Sequence, residues 1–262
     1  MKGTIPVNRK VILISIDGMR PDGFLQCGNS FVQELLQISS YALDAHTVFP
    51  PVTLPCHMSL FYGIPPQVHG MMNNALPTTR PSNGLFEQIK DAGGVSAMFY
   101  GWGRMRDVCH PMAVTYSTHV DIYTAESVDT ELTDLALERI RKSKPDFVYL
   151  YMLDTDDKGG HDCGWMTDEY LRRISIALDN VKRVWEECHD EYTIVITADH
   201  GGHERMHGID IPEDMTIPQF YIGPDFEPGK ALVDVSILDT APTIAKIMGI
   251  PQFREWEGKA LI

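Results

Sequence analysis

Histidine is unevenly placed in this chain: His161, His189, His200, His203 and His207 fall within a short part of it. Asp157 and His161 frame a D-x-x-x-H spacing in a glycine-containing loop, Asp199 and His200 are adjacent, and His207 follows seven residues later. Carboxylate oxygen and neutral imidazole suit Zn²⁺, and mixed sets also take Mn²⁺ or Fe. Aspartates gathered at one point repel one another, and divalent cations relieve that repulsion. A lone histidine is usually an ordinary polar residue. A group this dense, with aspartates among it, points to a two-metal centre. The same stretch also fits H-E-x-x-H, as His203-Glu204-Arg205-Met206-His207. That zinc-protease motif needs two histidines on one face of a helix, with the glutamate as base. Gly201-Gly202 before it, and Gly208 and Pro212 after it, oppose such a helix. A metalloprotease is therefore the distant alternative.

Short apolar runs that stop at an acidic residue must position these groups. Val11 to Ile16 ends at Asp17-Gly18, and Phe147 to Leu153 ends at Asp154, with Asp156 and Asp157 close behind. Thr193 to Ala198 ends at Asp199-His200. Each run is continuous rather than alternating, as in a strand buried on both faces of a parallel sheet. Ligands of open α/β sheets bind beyond the carboxyl ends of the strands, where these aspartates fall. Whether Asp154 and Asp156 join the site or only start a helix stays open, with Asp154 favouring the helix start.

Helical patterns lie between the runs. Leu171, Ile174, Leu178, Val181 and Trp185 recur at one-face spacing, and Asp168 and Glu169 suit the first turn. Weaker helical runs cover Phe31 to Ile38, Leu85 to Lys90, Leu132 to Lys142 and Ala241 to Met248. Alternating strands and helices predict a three-layer α/β/α architecture with a mostly parallel central sheet. Residues 1–262 are read as one catalytic domain, with a loop-rich excursion at about 100–130.

Of the 262 residues, 22 are Lys or Arg and 36 are Asp or Glu, a net charge of −14. That excess of negative charge opposes a nucleic-acid polymer or an anionic membrane as partner. Five cysteines at irregular spacing, with no C-x-x-C, suit a reducing compartment. No apolar run approaches a membrane span, and residues 1–10 hold no secretory pattern. The sequence-based expectation is a cytoplasmic protein.

Further motifs in order along the chain carry a resemblance. Ile16-Asp17-Gly18-Met19-Arg20-Pro21-Asp22 is similar to the metal-binding strand end of the type I phosphodiesterase/nucleotide pyrophosphatase family, within the alkaline phosphatase superfamily. Thr53-Leu54-Pro55-Cys56-His57 resembles its T-x-P-x-H nucleophile segment, followed by Gly63, His69-Gly70 and Asn73-Asn74. Asp157-x-x-Gly160-His161-x-x-Gly164 resembles its D-x-x-G-H-x-x-G motif. Ala198-Asp199-His200-Gly201 and His207-Gly208 resemble the two that follow.

The resemblance implies an alkaline-phosphatase-like fold and two ions, with Zn²⁺ the first expectation and Mn²⁺ or Fe alternatives. Asp157, His161 and His207 would hold one ion, and Asp17, Asp199, His200 and the Thr53 oxygen the other. Thr53 would attack phosphorus, Asn74 would donate to a non-bridging oxygen, and a phospho-threonine would form and hydrolyse. The expected substrate is a small phosphodiester or nucleotide pyrophosphate. The alternative is a phosphomonoester or phosphonate at the same site. The aromatic pair that sandwiches a base in nucleotide-cleaving members is replaced here by Leu54 and Met152. Tyr151 is the nearest substitute. Cys56 reads as a packed thiol, the short His200-to-His207 interval implies a small lid, and His203 is a competing candidate to His207.

Overall fold

The computed structural model describes residues 9–75 and 83–262. Seven strands form one sheet: β1 (Lys10–Ile16), β2 (Ser40–His46), β3 (Ser96–Tyr100), β4 (Tyr116–His119), β5 (Phe147–Met152), β6 (Tyr192–Thr197) and β7 (Thr216–Ile222). The order across the sheet is β2-β7-β6-β1-β5-β3-β4. From β6 through β4 the pairings are parallel, while β7 is antiparallel to both β6 and β2. The sheet is thus mostly parallel, as the buried apolar runs predict.

The helices are α1 (Pro21–Gln26), α2 (Phe31–Ile38), α3 (Thr53–Tyr62), α4 (Pro66–His69) and α5 (Leu85–Asp91). They continue as α6 (Val128–Ser143), α7 (Asp168–Cys188), α8 (Pro212–Met215) and α9 (Thr240–Met248). One group gathers α1, α2 and α6 around α7, and another gathers α3 and α5 around α9. The alternation of strand and helix has produced this layered α/β fold.

Helix α7 shows how the pattern works. The Thr167 side chain accepts a hydrogen bond from Tyr170 N and caps the helix, and Asp168 and Glu169 occupy its first turn. Its inner face buries Ile174, Leu178 and Val181, while Leu171 and Trp185 at the margins are only partly covered. Each fully buried aliphatic side chain contributes about 1.5–3 kcal/mol, so this stripe outweighs any helix propensity. Helix α9 ends where expected, at Gly249 in the left-handed conformation.

The three acidic-ended runs are the three central neighbours β6, β1 and β5. Their carboxyl ends therefore lie side by side. The stretch expected to be loop-rich holds more order: 3₁₀ turns at Gly103–Asp107 and Pro111–Ala113, then the edge strand β4. β4 is short and its exposure alternates, which left little apolar signal in the sequence. Among the described residues, no helix is long and apolar enough to cross a membrane.

Candidate active site

Asp17 leaves β1, Asp199 and His200 leave β6, and Thr53 opens α3. Their side chains meet. His200 Nε2 lies 3.3 Å from Asp17 Oδ1, 3.4 Å from Asp199 Oδ2 and 3.4 Å from Thr53 Oγ1. Beside them a second cluster joins Asp156, His161 and His207. Asp156 Oδ2 stands 3.3 Å from His161 Nε2, and Asp156 Oδ1 stands 3.9 Å from His207 Nε2. The His200 and His207 rings stack at 3.8 Å between centroids, which joins the two clusters.

Local structure explains the convergence. Gly18 adopts a φ of +67°, and a Cβ there would lie 2.9 Å from Asp156 Oδ1. A larger residue would push the β1 and β5 ends apart. The Gly18 carbonyl accepts from Trp165 Nε1 and Tyr170 Oη, and its N–H donates to Asp199 Oδ1. At the β6 end, a Cβ on Gly202 would meet Trp165 at 2.2 Å, so that chain passes hard against the indole. After β5 the chain winds as a π-helical segment, Thr155–His161. Such wide turns recur at functional sites because they re-aim side chains out of the ordinary register.

At that wide turn the geometry departs from the spacing of the sequence motif. Asp157 was expected to join His161 and His207, but the carboxylate beside them belongs to Asp156. Asp157 lies in the wall of the same cavity, half-buried, outside the converging set. Asp154 precedes the turn with its carboxylate facing Lys158 Nζ at 2.9 Å and Arg173, in keeping with a helix-start role. The other expected ligands, Asp17, Asp199, His200, His161 and His207, all converge. Thr53 and Asn74 line a cavity of about 190 Å³ together with Asp17, Asp156, His161 and His207.

Donor chemistry fits divalent ions. Asp17 Oδ1, Asp199 Oδ2 and Asp156 Oδ1 are buried with no hydrogen-bond partner. Orphaned carboxylate oxygens of this kind are costly unless a cation or proton occupies the space between them. Burial, and then the charges of Asp199 and Asp156, push the Asp17 carboxyl well above the usual range. Burial raises Asp156 to about 6. Burial opposes ionisation of Asp199 too, yet His200 and His57 outweigh it and hold its pKa low. Burial, followed by the nearby His200, pushes His207 down to about 3 and keeps its imidazole neutral, the form that ligates metal.

Several supporting roles are not legible in the sequence. Tyr151 donates to Asp17 Oδ2 and is almost wholly buried, so it orients a carboxylate and is unavailable as a base-stacking platform. His57 Nδ1 reaches Thr53 O at 2.8 Å and Asp199 Oδ2 at 3.4 Å, tying the nucleophile's helix to the β6 ligand. Leu54 N donates to Asn74 Oδ1 at 2.9 Å, so the Asn74 amide N–H₂ is the end left for a ligand. Trp102, Ile122 and Tyr123 form the apolar wall. They come from the weakly patterned excursion, where single aromatics carry no periodic signal.

The H-E-x-x-H match has no helix. His203 and Met206 pair across a tight backbone hairpin, and Glu204 takes a positive φ of 48°. His203 Nδ1 bonds to Asp214 Oδ1 at 2.7 Å and does not replace His207. Glu204→Gln is therefore expected to leave turnover of a phosphate ester within about twofold of the unaltered protein, measured as initial rates on an aryl phosphodiester. A loss above tenfold would revive the protease geometry.

A threonine at a helix N-terminus thus faces two aspartate–histidine clusters at the carboxyl ends of the central strands. The sequence model of the type I phosphodiesterase / nucleotide pyrophosphatase family matches residues 11–213, and the chain belongs to that family. It is 28% identical over 237 residues to a 2,3-bisphosphoglycerate-independent phosphoglycerate mutase of Cellvibrio japonicus, covering 88% of this chain and 43% of that one. It is 23% identical over 217 residues to a venom phosphodiesterase of Macrovipera lebetinus, covering 73% of this chain and 25% of that one. The chain thus spans less than half the length of these curated relatives. Murine ectonucleotide pyrophosphatase/phosphodiesterase 5, solved as an inactive variant in complex with AMP, shares the fold with a TM-score of 0.80. The identity is 14%, and the overlap covers 94% of this chain and 96% of that one.

Proposed function

We propose that this chain hydrolyses a small phosphodiester or nucleotide pyrophosphate through a phospho-threonine on Thr53. The observation that carries the reading is Thr53 Oγ1, first residue of α3 and 3.4 Å from His200 Nε2, opening into a cavity shared with Asn74 and the second cluster. The helix N-terminus favours negative charge on the threonine oxygen. Two divalent ions, Zn²⁺ by first choice, would be held by Asp17, Asp199, His200 and Thr53 and by Asp156, His161 and His207; when bound they supply charge neutralisation at the nucleophile and the phosphoryl oxygens.

The chain's own groups do the rest. Thr53 attacks phosphorus in line and the ester oxygen leaves on the opposite side. The Asn74 amide donates to a non-bridging oxygen as charge builds there. His57 holds the Thr53 carbonyl and so fixes the first turn of α3. Water then displaces the Thr53 oxygen from phosphorus and regenerates the hydroxyl.

Diester preference over the monoester or phosphonate alternative finds support in the lining. Among the described residues it contains no Lys or Arg to hold a dianion, and Trp102, Ile122 and Tyr123 supply its apolar lining. Tyr123 is 86% exposed at the mouth, ready to lie against a flat or apolar ester group. Trp102→Ala and Tyr123→Ala are each expected to raise KM for an aryl diester about three- to tenfold, at roughly 1 kcal/mol per stacking contact. Their kcat should change little, and steady-state kinetics on both variants checks this.

The deciding experiment strips the protein of metal and restores Zn²⁺ or Mn²⁺. It then compares aryl diesters, aryl monoesters and dinucleotides. Faster turnover of diesters or dinucleotides is expected. Much faster turnover of monoesters would overturn the proposal.

A further inference from the structure

The short segment between His200 and His207 has no helix to stiffen it, yet it delivers a metal-cluster histidine. We propose that Asp214, with His203, is the positioning device for His207. The inference rests on reading Asp156, His161 and His207 as the ligands of one ion.

Asp214 is completely buried, and its carboxylate bonds to this segment and to the two residues that follow it. Its Oδ1 accepts from His203 Nδ1 at 2.7 Å; its Oδ2 accepts from Gly208 N at 2.8 Å and Ile209 N at 3.1 Å. One carboxylate thereby grips the first residue of the hairpin and the two residues after His207. The hairpin itself is closed by His203 N to Met206 O and Met206 N to His203 O, both 2.9 Å. The Asp214 backbone completes the frame, because its carbonyl accepts from Gly201 N at 2.9 Å. Both ends of the His207 segment are therefore anchored to one residue.

What remains for His207 is rotation of its ring. That is set by Nδ1 against the Pro51 carbonyl at 2.8 Å and by the stack on His200, which leave Nε2 facing Asp156. Three hydrogen bonds to one side chain are stronger in a protein interior than in water, so they hold the segment firmly. Asp214 also does not touch the cluster or the cavity wall, so its removal alters no ligand atom directly. Supports of this kind typically change metal affinity by about 10–100-fold.

The test uses the full chain, stripped of metal and titrated with Zn²⁺ alone by calorimetry, with melting of the metal-free protein followed in parallel. In Asp214→Ala the first Zn²⁺ should bind as in the unaltered protein, and the second at least about tenfold more weakly. Asp214→Asn keeps one carbonyl oxygen for Gly208 N and Ile209 N and should recover most of that loss. His203→Ala removes only one of the three bonds and should fall between. Equal affinity for both ions in Asp214→Ala overturns the inference. So does a parallel fall of both sites and of melting temperature in all three variants, which would mark general damage. If Asp214→Ala does not fold, wild-type affinity at both sites in His203→Ala and Asp214→Asn overturns it equally. Uptake of fewer than two Zn²⁺ by the unaltered protein would instead sink the metal-centre reading on which the inference rests.

Discussion

Thr53→Ala is expected to reduce kcat on an aryl phosphodiester by at least about a thousandfold, the scale seen when a nucleophile is removed from a covalent mechanism. The substitution deletes the only hydroxyl that sits at the first residue of α3 and faces His200. It should not unfold the protein. The helix starts from Val52 with no side-chain cap, so Thr53 Oγ1 makes no capping bond whose loss would matter. Zn²⁺ should still bind at the Asp156 cluster with unchanged affinity and at the Asp17 cluster slightly more weakly. Rapid acid quench with a ³²P-labelled diester adds a second readout: label should stay on the unaltered chain and be absent from the variant. Retention of more than about a tenth of the activity would remove Thr53 as nucleophile.

Metal removal is expected to have the second largest effect, and its pH dependence has a definite sign. Chelation should abolish turnover and lower the melting temperature, since a ligand present at a hundredfold excess over its Kd stabilises by about 2.7 kcal/mol per site. A carboxyl whose pKa is raised by folding keeps its proton up to that pKa, and the incoming ion must displace it. Asp156 sits at about 6, raised by burial. Affinity at its cluster should therefore be full above about pH 6 and fall toward tenfold per unit below it. His207, near 3, is already neutral there and does not limit binding.

In the metal-free fold the same raised carboxyls contribute stability that is complete below about pH 4, the unfolded value, and is lost as pH rises through their folded values. His207 acts oppositely below about 6.5, where the unfolded chain takes up a proton that the folded site refuses. The clean measurement is the difference in melting temperature between loaded and stripped protein, followed from about pH 8 to about pH 5. It should shrink on acidification. A constant or growing difference would mean that Asp156 does not ligate.

Much of this was legible in the chain. The acidic-ended runs at Asp17, Asp154 and Asp199 marked the three central strands because a strand buried on both faces needs an unbroken apolar run. Helices α2 and α7 were visible because one wet face imposes a period. The outer elements were not: the edge strands β2 and β4 are only partly buried, and β7, between β2 and β6, runs antiparallel to both. Within the site, residue types predicted the ligands but not the register. The D-x-x-G-H spacing selects Asp157, whereas the π-helical turn brings Asp156 to the histidines. Tyr151 and Asp214 act through partners 134 and 11 residues away, separations that no local spacing rule reads.

The placement of β1 at the middle of the sheet also bears on how the molecule is made. Val11 pairs with Phe147 on one side and Thr193 on the other, so β1 waits for partners more than a hundred residues further along the chain. Closing such long loops is slow, because the entropy must be spent before the contacts reward it. Asp17 and Asp199 meet only once β1 and β6 have paired. On the proposed two-ion reading, ion capture would be a late event in folding, and the rate of Zn²⁺ uptake by refolding chains would be a clock for the completion of the sheet.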